Sequence, residues 1–162
     1  MKKIFKMFIC YFLIAVIGIT LSTGVVQAAS KGYVFKYKKA SASMDGKAST
    51  LLKKAGTPDK KTAVKSCAYK GMDRTYTYEG FVVKTYSNTK NGTEYINSIK
   101  ITSSKVETVE GITIGSSKNN MIKAYGKNAG EFGVYTYTKG NSKLVIELDD
   151  SDKVSSIEYL AD

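Results

Sequence analysis

The sequence contains no histidine and no tryptophan, and its 162 residues include only one proline and two cysteines. Histidine is the commonest general base and a frequent metal ligand, so its absence excludes zinc sites and Ser-His or Cys-His nucleophile systems in their usual forms. Arginine is scarce as well, with Arg74 as the single example. Because proteins that read nucleic acids usually rely on several arginines, a nucleic-acid partner is not expected. We predict a protein that is not an enzyme and that binds no cofactor.

The scarcity of cysteine limits covalent cross-linking. Cys10 lies in the apolar N-terminal run, so Cys67 is the only cysteine from Ala29 onward and no intramolecular disulfide can form there. A single cysteine in an exported protein is a free thiol or an intermolecular link, and the alternative is a small buried apolar residue. A thiol-dependent enzyme using Cys67 is the remaining catalytic alternative, but the sequence places no base beside it.

The N-terminal segment has the composition of a secretory signal peptide. Basic residues are followed by the apolar run Met7–Ile19 and then by small residues ending in Val26-Gln27-Ala28, which predicts cleavage after Ala28. The alternative is an uncleaved anchor, because weaker apolar character continues to about the 20 residues that span a bilayer. We therefore expect a secreted or cell-wall-associated protein, with N-terminal membrane anchoring as the alternative.

Charge is distributed unevenly along the rest of the chain. Residues 29–101 carry 15 basic and 5 acidic side chains, whereas residues 102–162 carry 7 basic and 9 acidic ones. A net charge of +10 on one half of an exported protein favours an anionic envelope polymer or an acidic protein as partner, because summed charge steers encounter. The alternative is that lysine serves only to solubilise the chain.

The most informative feature present is an internal repeat. Leu51-Leu52-Lys53-Lys54-Ala55-Gly56 is echoed by Met121-Ile122-Lys123-Ala124-Tyr125-Gly126, and Tyr76-Thr77-Tyr78 by Tyr135-Thr136-Tyr137. A third echo, in the same order, relates residues 96–101 to residues 154–159. Three ordered echoes predict a duplicated supersecondary unit.

Each copy predicts a short helix followed by an antiparallel meander. The helices are expected at Lys47–Ala55 and after Ser117, and each ends at a glycine, Gly56 or Gly126. Predicted strands are Tyr33–Tyr37, Thr75–Glu79, Phe81–Tyr86, Glu94–Thr102, Ile112–Ile114, Gly133–Thr138, Lys143–Leu148 and Val154–Leu160. The fold class is thus α+β, with two tandem repeats joined edge to edge into one larger sheet. The predicted units are a signal peptide (1–28), an N-terminal edge strand and linker (29–42), and repeats at 43–102 and 103–162.

The first copy contains an insertion. The helix ends are 70 residues apart but the Tyr-Thr-Tyr strands only 59, so 11 extra residues lie within 57–74. A loop that one copy has and the other lacks is a candidate binding site, with an ordinary extra strand or helical turn as the alternative. The candidate binding residues in this segment are Lys60, Lys61, Lys65, Tyr69, Lys70 and Arg74.

Four tyrosines at equivalent positions are the second candidate. Tyr76 and Tyr78 lie on one face of their strand, and Tyr135 and Tyr137 repeat the arrangement. Such a face is either core beneath the helices or an exposed recognition surface, because tyrosine combines a large apolar ring with a polar tip. The register that decides between the two is not fixed by sequence.

The acidic run 149–152 is weakly similar to a calcium-binding loop. It lacks the glycine and the bidentate glutamate that such a loop needs. A polar hairpin turn explains it better, because aspartate and serine are standard turn residues. No metal site is therefore expected.

The motif order Gly115-Ser116-Ser117, Met121-Ile122, Tyr125-Gly126 and Tyr135-Thr136-Tyr137 resembles the repeat of beta-lactamase-inhibitory-protein-like domains, and the SmpA/OmlA outer-membrane lipoproteins look similar. The resemblance implies a tandem helix-on-sheet fold that binds proteins across a concave sheet face. It does not imply beta-lactamase inhibition, because the inhibitors' disulfides cannot form here and no inhibitory loop is recognisable. The lysine-rich composition without histidine or tryptophan is more typical of a Gram-positive bacterium. No lipid attachment is expected either, because Cys10 lies inside the apolar run, well before any small-residue cleavage site.

Together these features predict a monomeric, exported, non-enzymatic interaction module. Its expected partner is a protein or an anionic cell-envelope polymer, bound through the basic first repeat and a tyrosine-bearing sheet surface. The alternative is a wall-associated structural protein held only by electrostatics. Membrane contact is expected only through an uncleaved signal segment.

Overall fold

A computed structural model describes residues 32–67 and 70–162. The predicted signal segment and Tyr69 lie outside these residues. The described chain is α+β, as predicted, and contains two helices and nine strands. In chain order they are β1 (Val34–Tyr37), β2 (Ala40–Ser43), α1 (Ser49–Ala55), β3 (Lys60–Lys65), β4 (Met72–Tyr78), β5 (Phe81–Tyr86), β6 (Tyr95–Ile101), α2 (Lys118–Tyr125), β7 (Val134–Lys139), β8 (Ser142–Leu148) and β9 (Val154–Ala161).

Seven of the described strands form one antiparallel sheet in the order β3-β4-β5-β6-β9-β8-β7. Tight turns connect β4 to β5 and β7 to β8, because Gly80 and Gly140 supply the positive φ that such turns require. The two meanders meet where β6 pairs with β9, with Ile99 opposite Tyr159 and Ile101 opposite Ile157. The middle of the sheet is therefore built from strands that are far apart in sequence.

One face of this sheet is covered by both helices and by the β1-β2 hairpin. Phe35 of β1 is fully buried, and its ring lies 5.3 Å from Phe81 of β5 and 5.9 Å from Tyr159 of β9. Leu51 of α1 and Met121 of α2 are fully buried in the same apolar core. The hairpin thus bridges both meanders, and burial of these large side chains is the main stabilising contribution.

The helices are short and depend on that core for their stability. Both end as predicted, with Gly56 and Gly126 at φ 90° and each glycine N–H donating to a carbonyl of the last turn. Ser117 caps α2 by accepting a hydrogen bond from the Asn120 N–H, as its position predicts. The N-cap of α1 is Ala48, which provides no side-chain acceptor.

Two sequence predictions for the segments that precede the helices are wrong. The predicted edge strand at 33–37 exists, but it pairs with β2 in a separate hairpin, so residues 40–42 are strand and not linker. No strand forms at Ile112–Ile114. There, Ile112 donates its N–H to the Thr108 hydroxyl and accepts from the Thr108 N–H, and these local bonds replace a ladder.

Candidate interaction surface

The segment 57–74 contains β3, which forms one edge of the large sheet, so the alternative of an extra strand is what the structure has there. All six residues of β3 are exposed, so neither of its faces is covered by the described chain. Its sequence, Lys-Lys-Thr-Ala-Val-Lys, places Lys60, Thr62 and Val64 on the helix-free side and Lys61, Ala63 and Lys65 on the other. The segment 57–74 therefore contributes a basic edge strand to the sheet.

The lysines of β3 have few internal partners. The four ion pairs among the described residues all involve other side chains. Lys61 places its Nζ 5.0 Å from the centre of the Tyr76 ring, which is cation–π geometry. Lys70 is exposed as well, just beyond the strand. These charges are consequently available to an external anion.

Cys67 follows β3 and is exposed. The alternative that it is a small buried apolar residue is therefore wrong. The structure places it beyond the end of the strand, at the surface.

The four candidate tyrosines face the core. Tyr76 and Tyr78 of β4, with Tyr135 and Tyr137 of β7, are each less than 10 % exposed. Their register explains this burial, because Tyr76 lies opposite Val83 and Tyr135 opposite Ile146, both fully buried. The prediction of a tyrosine-bearing contact surface is thus wrong, and these rings contribute to packing.

Arg74 is also used internally. Its guanidinium donates to the Ser87 hydroxyl at 3.1 Å and to the Lys90 carbonyl at 2.7 Å, and its Nε lies 3.6 Å from Glu94. The other carboxylate oxygen of Glu94 accepts the hydroxyl of Tyr76 at 2.7 Å. Burial, reinforced by Glu94, raises the pKa of Tyr76 well above its usual range. This network fixes the loop before β6 to β4, which makes Arg74 a structural residue.

The helix-free face of the sheet is open to solvent and is polar with scattered lysines. Lys84 lies opposite Thr75, and Lys100 lies opposite Glu158 where β6 meets β9. Val82 and Val145 on this face are half-buried. Alternation of buried and solvent-facing side chains along the strands is typical of an antiparallel sheet with one face open to solvent.

At the other edge of the sheet, β7 is partly covered by the segment that precedes it. The side-chain amide of Asn128 donates to the Thr136 carbonyl at 2.7 Å, and Glu131 exchanges two backbone hydrogen bonds with Val134. The two edges of the sheet therefore differ in the backbone groups they offer.

Sequence reasoning missed Phe132, which lies in the turn before β7. Its side chain is fully exposed and its backbone is left-handed, with φ 50°. A non-glycine residue in this conformation is uncommon, and the exposed ring leaves a large apolar surface in contact with water. The signal available in the sequence was a phenylalanine enclosed by Gly130 and Gly133.

The acidic run after β8 is a hairpin turn, as expected. Asp149 accepts backbone N–H groups of Ser151 and Lys153 at 2.9 Å through one carboxylate oxygen. Among the described residues no group of three acidic or cysteine side chains could hold a metal ion. Within the same residues no helix is long and apolar enough to cross a membrane.

Comparison with known proteins yields a distant structural likeness. No protein-family model matches the chain and no curated protein matches it in sequence. The fold is similar to the crystal structure of a cysteine-rich secretory protein from Staphylococcus aureus, with a TM-score of 0.45 and 13% identity over 73% of this chain. The chain spans less than half of that protein's length, 44%.

Proposed function

We propose that this protein is an exported, non-enzymatic interaction module that binds an anionic partner through β3 and the surface around it. The observation that carries the proposal is the position of Lys60, Lys61 and Lys65. They lie on a strand with both faces exposed, and none of them belongs to an ion pair of the described residues. Three unneutralised charges on a regular strand present a spaced array to an opposite charge.

A two-repeat origin of the fold would explain why β3 has no equivalent strand in the second half of the chain. The echo between residues 96–101 and 154–159 makes Ile99 the counterpart of Ile157 and Ile101 the counterpart of Tyr159. A two-fold rotation that exchanges the two copies would carry the pair Ile99–Tyr159 onto the pair Ile157–Ile101. This second pair is also present in the sheet. Such a register is what a local two-fold axis between β6 and β9 requires. In this interpretation β3 has no counterpart in the second copy and is an acquired element.

The test is binding of fluorescently labelled poly-L-glutamate to the chain from Ala29 onward, measured by anisotropy. We expect the triple variant Lys60→Glu, Lys61→Glu, Lys65→Glu to bind about tenfold more weakly, since each reversed charge removes on the order of 0.5 kcal/mol. Binding of the unaltered chain should weaken between about 20 mM and about 150 mM NaCl, because salt screens exposed charges.

The matched control is Lys123→Glu, Lys127→Glu, Lys153→Glu, which changes net charge equally but in the second half. All three of these side chains are exposed. We expect this control to retain most of the affinity. Equal losses in both variants would instead indicate that net charge alone holds the protein to anionic polymers, as in the structural wall-protein alternative.

A further inference from the structure

The backbone of β3 offers hydrogen-bonding groups along its outer side. Along a strand of an antiparallel sheet, the backbone N–H and C=O groups of successive residues point alternately to one side of the strand and to the other. The Ser66 N–H donates to the Gly71 carbonyl, and this bond sets the alternation. Lys60, Thr62 and Val64 therefore bond to β4, and the N–H and C=O groups of Lys61, Ala63 and Lys65 point away from the sheet.

This outer edge differs from the edge at β7. There the Thr136 carbonyl is occupied by Asn128, and both outward groups of Val134 are occupied by Glu131. No backbone bond to the outer side of β3 is present among the described residues. An uncovered edge strand is a template for pairing with another extended chain.

Charge decides which chain can pair there. A second copy pairing antiparallel around Ala63 would place Lys61 opposite Lys65 and Lys65 opposite Lys61, and like charges directly opposite are destabilising. An acidic strand would place carboxylates opposite the same two lysines. On the other face of the strand, the Val64 side chain is 62 % exposed and would pack against an apolar or β-branched neighbour.

We propose that β3 accepts an extended peptide that alternates acidic and β-branched residues, which adds to the sheet as a further antiparallel strand. This inference rests on the proposed function and deepens it by naming the partner chemistry. Acidic side chains of the peptide lie beside Lys61 and Lys65, and its β-branched side chains lie beside Thr62 and Val64. Backbone bonds to Lys61, Ala63 and Lys65 contribute affinity, and the side-chain pairs set the register.

The first test uses a labelled peptide of alternating glutamate and valine with blocked ends. N-methylation of its glutamates removes the N–H groups that face Lys61, Ala63 and Lys65, and we expect at least about a tenfold loss of affinity. N-methylation of its valines is the matched control, because those N–H groups face solvent, and affinity should remain. Equal effects of the two methylations would overturn strand addition.

The second test changes the protein. Ala63→Pro removes an outward N–H and leaves the bonds between β3 and β4 in place, because proline is tolerated where an edge N–H faces solvent. Ala63→Val keeps the N–H and adds bulk at the same position. We expect the proline variant to lose the alternating peptide and to keep poly-L-glutamate, while the valine variant keeps both. Loss of the peptide in both variants would overturn the inference.

Hydrogen exchange locates the contact. Slower exchange of the Lys61, Ala63 and Lys65 amides in the presence of the peptide is expected, and unchanged exchange there would contradict the proposal. These experiments distinguish a failure of strand addition from a failure of the proposed function. If poly-L-glutamate binds but methylation of the peptide has no effect, only strand addition is rejected. If neither the peptide nor poly-L-glutamate binds at low salt, the proposed function is rejected as well.

Discussion

Phe132 occupies the second position of a tight turn closed by two backbone hydrogen bonds between Glu131 and Val134. Its φ of 50° places Cβ close to the following carbonyl, a conformation that costs roughly 1 kcal/mol for a residue other than glycine. Because the ring is fully exposed, its removal loses no buried apolar surface. We expect Phe132→Gly to stabilise the protein by about 0.5–1 kcal/mol in urea denaturation.

Phe132→Ala is the control for this prediction. Alanine removes the ring but keeps the left-handed strain, so its free energy of unfolding should remain close to that of the parent chain. A glycine variant that is less stable than the parent would show that the ring makes stabilising contacts in solution.

The tyrosines show why individual site residues were harder to predict than strands. Alternation correctly placed Tyr76 and Tyr78 on one face, but the choice between core and surface needed the pairing with Val83 and Phe81. Those partners are fully buried, so the tyrosines beside them face the core as well. Cys67 has the opposite outcome, since free cysteine is usually buried and here the chain leaves it at the surface.

At the scale of elements, the approach of β4 to the end of β5 depends on Gly71. A Cβ at this position would lie 1.7 Å from the carbonyl oxygen of Ser87, which is part of the backbone and cannot rotate away. Gly71→Ala should therefore separate the strands locally and destabilise the fold by roughly 2–4 kcal/mol. The measurement is the urea midpoint of the purified variant.

Gly111→Ala provides the comparison for Gly71. Gly111 has φ 80° and no atom within 4 Å of the added Cβ, so only backbone strain of about 1 kcal/mol is expected. Equal destabilisation by the two substitutions would mean that β4 and β5 adjust without cost.

Strands with one buried face were predictable, and the others were not. Phe81–Tyr86 was predicted with the bounds that β5 has, because its apolar and polar residues alternate. Lys60–Lys65 has no buried face and so carries no period-two signal. Ala40–Ser43 consists of alanine and serine, which favour strands weakly, and it is a strand because Ala40 and Ala42 are buried in the hairpin.

For the whole molecule, the distribution of tyrosines through both halves of the core predicts alkaline sensitivity. Burial is the largest cause that raises the pKa of each of six tyrosines, Tyr33, Tyr76, Tyr78, Tyr125, Tyr137 and Tyr159. Their unfolded pKa is about 10. Above that pH the unfolded chain releases protons that the folded protein retains, so stability is complete below about pH 10 and falls as pH rises further.

Tyrosinate absorbance and far-ultraviolet circular dichroism, followed together through an alkaline titration, check this prediction. Ionisation of these tyrosines should coincide with loss of the folded spectrum, because both report the same transition. Complete ionisation near the ordinary tyrosine pKa with an unchanged spectrum would contradict the assigned burial.

At this scale the sequence was sufficient for the α+β class and for the antiparallel meanders. It could not show which strands meet in the middle, because pairing between β6 and β9 depends on contacts between residues 56 to 62 positions apart. Nor could it show that β1 and β2 cover both meanders, since Phe35 packs on rings from β5 and β9 only in three dimensions.

The position of β9 has a consequence for biosynthesis. It comes last among the nine described strands, yet it lies between β6 and β8 inside the sheet. A nascent chain cannot close the central seam of this sheet, between β6 and β9, until β9 has been synthesised. Completion of the sheet therefore waits for the latest-made of its strands, because β6 has only β5 as a neighbour until β9 is available.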